Sequence, residues 1–483
     1  MITNDLGTVW PPEEIAEQIR ENRQMHDLYE GEHEKVFGLR SSDKRVYITA
    51  NLLGALTNLL SWRLFGEKFF VTMPDDTGGN QEFIDYLVSR NQLHDKLLAA
   101  AVKQSYSGKC YFKVRYDADL QRIVISPVDS NRVMPEYSET DNEKIVSQTI
   151  WQVLKGKDKE GHFIWFEHHY LAEDGMSYIA NLLYKATESN GELHFDKSED
   201  RVALTAHKVT ENLPDEQATG ITRLLVCGID TDSDYKGLLA IQEEINNRLT
   251  QRSKTLDIHA QPILFGPMLM DENGQVKLNG HTFIETPSTD SAPVGAIVWD
   301  ANMSAVKDAI AEMRELFAAT AGIEMSAIVA PEGGGPQSGR AIKLSQMRTQ
   351  ARVQSKQIVF EPLMKELFAT ALELAMVQGV ILSFKPAAAL QPMDVEDITI
   401  TFSDGLPNDS MDAIEEQTKR LEFGVQSLRD AIKILDDCSD EEADLKVSQI
   451  QAEAAGTLHS STSLTATGIP SFLSLTQPAG NSQ

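Results

Sequence analysis

The clearest helical pattern in the sequence lies at residues 232–260, DSDYKGLLAIQEEINNRLTQRSKTLDIHA. Its apolar side chains recur at helical spacing on one face: Leu238, Ile241, Ile245, Leu249 and Leu256. Polar side chains take the opposite face: Glu244, Asn247, Gln251 and Lys254. Roughly 24 helical residues at 1.5 Å each span about 36 Å. The sequence therefore predicts a long amphipathic helix.

A small β-rich module follows this helix. Residues 261–300 contain short apolar runs around the turn Asp271-Glu272-Asn273-Gly274 and show no helical period. Helical spacing then resumes, with apolar residues at Val306, Ile310, Met313, Phe317 and Ala321. The module is therefore predicted to lie between two helices of similar length.

Upstream of residue 232 the pattern is mixed. Helical spacing covers residues 12–30 and Ile48–Leu64, and the second helix is predicted to stop at Gly66. Residues 109–210 alternate apolar and polar side chains between Asp, Gly and Asn turns, which is typical of antiparallel strands. This part is predicted to be α+β.

Downstream of Gly322 the sequence returns to helices. Ser338 is placed as the N-cap of a helix that reaches Val377 and is kinked at Pro362. One alternating strand is predicted at 397–404, and three helices follow from Asp409. Residues 456–483 are rich in Ser, Thr, Gly and Pro without periodicity, which predicts disorder. The fold class is therefore α+β, mainly helical.

The charge balance is strongly acidic: 44 Lys and Arg against 72 Asp and Glu give a net charge of −28. Such a chain repels phosphate backbones and anionic membranes. The three cysteines are far apart and form no C-x-x-C pair, which disfavours a disulfide framework or a zinc site. No signal peptide is predicted at the N-terminus, and the run LLGALTNLLSWRLF (52–65) is too short for a membrane span.

The segment PEGGGPQSGRAIKLS (331–345) is close to a phosphate-binding loop. Arg340 stands where G-x-x-x-x-G-K-[ST] requires Lys, and Ala341 stands where a Mg²⁺-binding hydroxyl is needed. A degenerate nucleotide site at 333–341 is one hypothesis. The favoured one is mechanical, because three consecutive glycines free a loop between long helices to adopt several conformations.

No catalytic residue, metal site or cofactor site is predicted, and the protein is not expected to be an enzyme. His162, His168 and His169 lie on one predicted strand, where the adjacent pair points to opposite faces and cannot share a metal. Glu30, His33 and Glu34 lack the second histidine of H-E-x-x-H, which favours a solvated helix end.

The order of these elements resembles the portal proteins of tailed bacteriophages. Local similarity is carried by six stretches: LYEGEHE (28–34), ITANLLGALTNLLSWRLFGEKFFVT (48–72), DYKGLLAIQEEINNRLTQRSKTLDIHAQPILFG (234–266), LFAATAGIEMSAI (316–328), SGRAIKLSQMRTQARVQSKQIVFEPLMKELF (338–368) and ITFSDGLPNDSMD (400–412). The resemblance rests on the number of these stretches and on their order in the chain, since none of them is a catalytic motif. One departure is Glu324, which follows Gly322-Ile323 where the family often has Pro.

The resemblance implies a division of the chain into the parts of a portal subunit. They are an α+β wing (1–231), a stem helix (232–256), a clip (257–302), a second stem helix (303–324), a tunnel loop (325–339), a kinked long helix with a returning wing strand (340–405), a helical crown (406–455) and a disordered tail (456–483). The tunnel loop and the first helical turn after it are expected to face DNA.

Two sets of residues follow from that division. The DNA-facing set is Ile328, Val329, Glu332, Gly333, Gly334, Gly335, Gln337, Ser338, Arg340 and Lys343. Arg340 and Lys343 have two open roles, contact with phosphates or with a neighbouring subunit. The clip set, expected to contact partner proteins, is Met268, Leu269, Met270, Asp271 and Asn273. The methionines there suit varied partners, although ordinary packing inside the module is an equal alternative.

The family resemblance also implies partners and a location. A portal is a ring of twelve copies at one capsid vertex that passes double-stranded DNA without binding it tightly. It contacts the large terminase, head-completion or adaptor proteins, and the major capsid and scaffolding proteins, but no membrane. Its place is the virion, after assembly in the host cytoplasm. A portal-like protein of a domesticated prophage or gene-transfer particle is the second alternative.

Overall fold

The computed structural model describes sixteen stretches of the chain: residues 9–38, 47–73, 76, 78–141, 144–155, 162–186, 202–207, 216–260, 263–266, 283–285, 295–297, 303–329, 344–378, 383–403, 410–436 and 443–452. The chain divides into two units. The first comprises 1–337 and 341–406, and the second comprises 338–340 and 407–483.

The first unit contains helices and strands in mixed order. Its helices are α1 (Glu13–Tyr29), α2 (His33–Phe37), α3 (Leu52–Phe65), α4 (Asn80–Arg90), α5 (Leu93–Ser107), α6 (Leu239–Ala260), α7 (Met303–Ala321) and α8 (Met347–Gln378). Its strands are β1 (Val9–Trp10), β2 (Phe70–Thr72), β3 (Lys109–Asp117), β4 (Arg122–Val128), β5 (Val133–Tyr137), β6 (Ile145–Lys155), β7 (His162–Leu171), β8 (Ser177–Ala186), β9 (Val202–His207), β10 (Glu216–Ala218), β11 (Val226–Asp230), β12 (Ile263–Gly266), β13 (Phe283–Glu285), β14 (Gly295–Ile297) and β15 (Thr399–Thr401). This mixed α/β content agrees with the predicted α+β class.

Antiparallel pairing dominates the described sheets, as the alternating sequence predicts. The largest sheet has the order β1-β9-β8-β7-β6-β5, with β10 also paired to β8. A second sheet has the order β11-β3-β4, and β15 returns to pair with β2. Between α6 and α7, β12 pairs in parallel with β13 and antiparallel with β14. Three short paired strands therefore lie between the two helices.

Two apolar clusters form most of the core of the first unit. In one, the C-terminal half of α8 packs against α4, α5 and the β11-β3-β4 sheet, with Phe112, Phe360 and Phe368 almost fully buried. In the other, α3, α6 and α7 meet around Leu53, Ile245 and Phe317. Full burial of one such side chain contributes about 1.5–3 kcal/mol. The helices on either side of the β module are thus fixed to the rest of the unit through one shared cluster.

Several predicted boundaries differ from the structure. Helix α3 begins at Leu52 rather than Ile48, because residues 47–51 are bound along α6 and the Asn51 side chain accepts a hydrogen bond from Gly54 N–H as the N-cap. Helix α6 begins at Leu239, just after Gly237 with its φ of +80°. Pro362 lies inside α8 as predicted. The predicted N-cap Ser338 lies outside the described residues.

The second unit is helical where it is described. Its helices are α9 (Ser410–Glu422), α10 (Leu428–Asp436) and a third over 443–452, which confirms the three helices predicted after Asp409. Ala431, Ile432 and Ala443 are buried. Ion pairs join Arg429 to Asp444 at 2.8 Å and Lys446 to Asp436 at 2.9 Å. Residues 456–483, where disorder was predicted, lie outside the described stretches.

Candidate functional site

The segment predicted as the tunnel loop is described at its first five residues. Met325–Ala327 form one turn of 3-10 helix, Ile328 is half-buried and Val329 is 37% exposed. Ile328 packs against the α3-α6-α7 cluster. The other predicted DNA-facing residues lie outside the described residues: Glu332, Gly333, Gly334, Gly335, Gln337, Ser338, Arg340 and Lys343. The structure therefore describes how this segment is held at its two ends.

The two ends of the segment are bound to each other. Helix α7 ends at Ala321, and the next residue, Gly322, has a φ of +72° that favours glycine. Two residues later the Glu324 N–H donates to Thr349 Oγ1 of α8 at 2.9 Å, and the Glu324 carboxylate lies 3.7 Å from Arg348. Ile323 and Val353 are fully buried in the same apolar cluster. The residues on either side of 330–343 are therefore fixed to each other, through Glu324 and Ile323 before this stretch and through Arg348, Thr349 and Val353 after it. We call these contacts the framework.

Helix α3 supports the same framework. Arg63 is largely buried and its guanidinium donates to the side-chain oxygen of Gln346, just before α8. The neighbouring Trp62 is 62% exposed and lines a mostly apolar cavity of about 450 Å³ with Leu59 and Ile328. The start of the loop therefore lies beside a hollow on α3.

A buried ion-pair network fixes α8 to the chain entering α6. Asp234 accepts from Lys356 Nζ and, at 2.9 Å, from Arg352 Nη2. Lys356 Nζ also donates to Gln104 Oε1 of α5 at 2.7 Å. Burial lowers the pKa of Lys356, and the Asp234 charge opposes part of that shift. A buried ion pair adds little net stability, but loss of either partner leaves an uncompensated charge. Arg352 and Lys356 also line a cavity of about 530 Å³ next to Gly322, with both polar and apolar side chains in its wall.

A row of polar side chains on α6 binds the segment before α3. Thr250 Oγ1, Asn246 Oδ1 and Gln242 Oε1 accept from the backbone N–H groups of Ile48, Ala50 and Leu52 at 3.0, 3.0 and 3.2 Å. Gln242 Nε2 donates in return to Ala50 O at 2.7 Å and to Asn246 Oδ1 at 3.0 Å. We call this set the α6 ladder. Its members recur every four residues, so they form one row on the helix.

His33 completes the ladder rather than forming a solvated helix end. It is fully buried, its Nε2 lies 2.9 Å from Leu28 O, and its Nδ1 lies 2.8 Å from Asn246 Nδ2. The neutral ring satisfies both contacts when Nε2 donates and Nδ1 accepts. Burial lowers the pKa of His33, although the bond to the Leu28 carbonyl opposes the shift. The expectation of a solvated helix end is therefore wrong for His33, because α6 covers this histidine, whereas Glu30 and Glu34 are exposed.

The histidines of β7 follow the predicted alternation. His169 is fully buried against Glu167, whereas His168 is partly exposed, with Nδ1 2.8 Å from Thr149 Oγ1. Burial opposes ionisation of Glu167, but His169 and Lys113 beside it lower its pKa to about 2. Within the described stretches, no group of three or more His, Cys, Asp or Glu side chains is placed to hold a metal ion.

Burial also bears on the cysteines. Cys110 and Cys227 are buried in the core, and burial raises the pKa of each thiol to about 12. Such thiols stay protonated near neutral pH and are poor nucleophiles. The clip residues Met268, Leu269, Met270, Asp271 and Asn273 lie outside the described residues, as does the 333–341 stretch of the nucleotide hypothesis.

Sequence reasoning missed the polar framework. Gln242, Asn246 and Thr250 lie at spacing i, i+4, i+8 beside the apolar row of α6, and this repeat was a usable signal. Arg348, Arg352 and Lys356 form a similar basic row on α8. Asp234, which contacts Arg352 and Lys356 of that row, precedes Lys356 by more than a hundred residues, and the sequence contains no sign of that contact.

Comparison with known proteins identifies the family. No curated protein matches the chain. Within the stretches described above, no helix has the length and apolar character needed to cross a bilayer. The family profile described as phage portal protein, SPP1 Gp6-like, matches residues 12–457 of the 483 in the chain. This match covers all the framework residues and confirms the resemblance noted in the sequence. The chain belongs to the phage portal protein family, SPP1 Gp6-like.

Proposed function

We propose that this protein is the portal subunit of a tailed phage and assembles into a ring of twelve copies at one capsid vertex. The ring passes double-stranded DNA during packaging and ejection. The observation that carries the proposal is the family match over residues 12–457, with an anchored loop between two helices inside it. The role is structural, without a catalytic residue or a cofactor.

The parts of the chain have distinct roles in this proposal. Helices α6 and α7 form the stem, the β module between them is the clip, and residues 325–339 form the tunnel loop. The clip is the docking site for the large terminase during filling and for head-completion proteins afterwards. Major capsid and scaffolding proteins are further partners. The ring lies in the virion after assembly in the host cytoplasm.

The acidic net charge of the subunit supports a channel that binds DNA only weakly. A basic lining would neutralise phosphates and bind tightly, with a steep dependence on salt. A subunit with a net charge of −28 repels the duplex instead. We expect purified rings to bind double-stranded DNA weakly, with little change in affinity between about 50 and 200 mM salt. A steep salt dependence would contradict this part of the proposal.

Electron microscopy of the purified protein tests the ring directly. End-on particles are expected to show a closed ring with a central opening. Particles without an opening, at concentrations where the protein is assembled, would refute the proposed function.

The anchored loop gives a second test. Replacing Gly333, Gly334 and Gly335 with Ala restricts the segment, because alanine excludes backbone conformations that glycine adopts. The framework at Glu324, Thr349 and Val353 is unchanged by these substitutions, so rings should still form. DNA packaging should fall, measured as nuclease-protected DNA per particle. Normal packaging by the variant would remove the tunnel-loop role.

A further inference from the structure

Two exposed helix faces in the first unit have complementary character. On α8, the side chains of Met347 and Ile358 are 64 and 71% exposed, and Ala351 lies between them on the same face. Leu344, three residues before the helix, is 61% exposed. We call Leu344, Met347, Ala351 and Ile358 the apolar stripe. The opposite face of the same helix is buried at Thr349, Val353 and Phe360. This part of α8 therefore has two apolar faces. One is buried within its own unit, and the other, the apolar stripe, is exposed.

Between residues 344 and 360, the charged side chains beside the apolar stripe are all basic. They are Arg348, Arg352 and Lys356. Lys356 is buried with Asp234, and Arg352 also contacts that carboxylate. Arg348 is 56% exposed, and its described ion pair with Glu324 is long, at 3.7 Å. The stripe is thus flanked by positive charge over residues 344–360, and the next carboxylate of the helix, Glu361, pairs with Lys365.

Helix α7 presents the opposite charge. Asp308, Glu312 and Glu315 are exposed at spacing i, i+4, i+7, so they form one row, and Leu316 beside them is 54% exposed. Among the described residues, none of these three carboxylates forms a salt bridge. We call Asp308, Glu312, Glu315 and Leu316 the acidic ridge. Three like charges in one row repel each other unless cations lie opposite.

We propose that the acidic ridge of one copy packs against the apolar stripe and Arg348 of the next copy in the ring. This inference rests on the proposed ring and names the surfaces that close it. Two different faces of each subunit meet in such a contact, as a heterologous ring interface requires. The contact buries Leu316, Met347 and Ile358 and gives the three carboxylates a basic counterpart.

Charge reversal tests this pairing. The first variant, Glu312→Lys with Glu315→Lys, makes the ridge basic, and the second, Arg348→Glu with Gln354→Glu, makes the stripe acidic. Each variant alone places like charges together, so we expect at least about a tenfold loss of rings at fixed concentration, measured by native mass spectrometry. Asp119→Lys with Glu173→Lys, at exposed positions elsewhere in the unit, makes the same charge change as the first variant and should assemble like wild type.

Mixing the two variants gives the decisive result. A basic ridge then meets an acidic stripe and an acidic ridge meets a basic stripe, so equal amounts should recover rings in which the variants alternate. A chain with all four substitutions should also recover rings by itself. Thermal unfolding of each variant checks that the subunit is folded.

The outcomes separate this inference from the proposed function. Suppose that the wild type forms rings. Normal assembly of each variant alone would then overturn the pairing and leave the portal function in place, and so would a failure of the folded variants to recover rings on mixing. Absence of rings in the wild type would overturn both.

Discussion

The two halves of α8 are held in different ways. From Phe360 to Ala375 the helix is buried on most sides in the apolar cluster with α4, α5 and the β11-β3-β4 sheet. From Met347 to Lys356 it is held largely by polar contacts, through Thr349, Arg352 and Lys356, and it leaves apolar side chains exposed. The C-terminal half, Phe360–Ala375, buries its apolar side chains within one subunit. The N-terminal half, Met347–Lys356, connects the predicted tunnel loop to the residues before α6 and keeps an exposed apolar surface for another contact.

The largest expected effect comes from the apolar half. Phe368→Ala should lower the free energy of unfolding by about 4 kcal/mol, because it removes a buried ring and leaves a cavity. Urea unfolding of the dissociated chain measures it. The control is Ile358→Ala on the same helix, which should change stability by less than about 0.5 kcal/mol because the side chain is exposed. Equal losses of stability would show that the exposed face of α8 contributes as much as the buried face.

The buried ion pairs give the next effect. Asp234→Ala should cost about 3 kcal/mol, since Lys356 is left as a buried charge without its partner. Asp232→Ala is the matched control two residues away, because its pair with Lys236 is exposed and should be worth less than about 0.5 kcal/mol. The double change Asp234→Leu with Lys356→Met should recover most of the loss in the same unfolding assay. Failure to recover would show that the network does more than neutralise charge.

The hydrogen bonds of the α6 ladder are expected to contribute less to stability than the buried ion pairs. Asn246→Ala should cost about 2 kcal/mol, because the Ala50 N–H and His33 Nδ1 lose their partner in a buried place. Asn247→Ala serves as the control, since Asn247 Nδ2 makes no described hydrogen bond. Chemical denaturation should separate the two neighbours clearly. Similar values for both would mean that the ladder adds nothing to stability.

The smallest effect is a dependence on pH. Burial holds the pKa of His33 below its ordinary value of 6.5, so the unfolded chain binds a proton that the folded chain does not. Stability should therefore fall as the pH is lowered through 6.5, with a slope of at most about 1.4 kcal/mol per pH unit from this group. The loss stops growing below the folded pKa. His33→Gln should have a flatter profile between pH 5 and 7, and identical profiles would exclude His33 as the cause.

The sequence predicted the parts whose contacts are local or periodic. The apolar rows of α6 and α7 predicted both helices, and the alternation over residues 109–210 predicted the antiparallel strands found there. The prediction for Leu256 was less accurate, since it shares the apolar row but is 47% exposed near the end of α6. Periodicity shows which face is apolar but not where along a helix burial ends.

The framework around the loop could not be predicted in the same way. His33 and Asn246 are bonded across 213 residues, and Asp234 and Lys356 across 122. Such contacts depend on how distant elements pack, and no local pattern specifies that packing. The start of α3 was misplaced for the same reason, because a side-chain row on α6 competes with helix formation at residues 48–51.

The hydrogen bonds along α6 also restrict how this segment can change length during evolution. Every second N–H from Ile48 to Leu52 is bound, so inserting or deleting one residue would shift the bound groups to the odd-numbered positions. A change of two residues preserves the parity. Insertions and deletions between residues 47 and 52 in related sequences should therefore occur in pairs, a signature that can be read from an alignment.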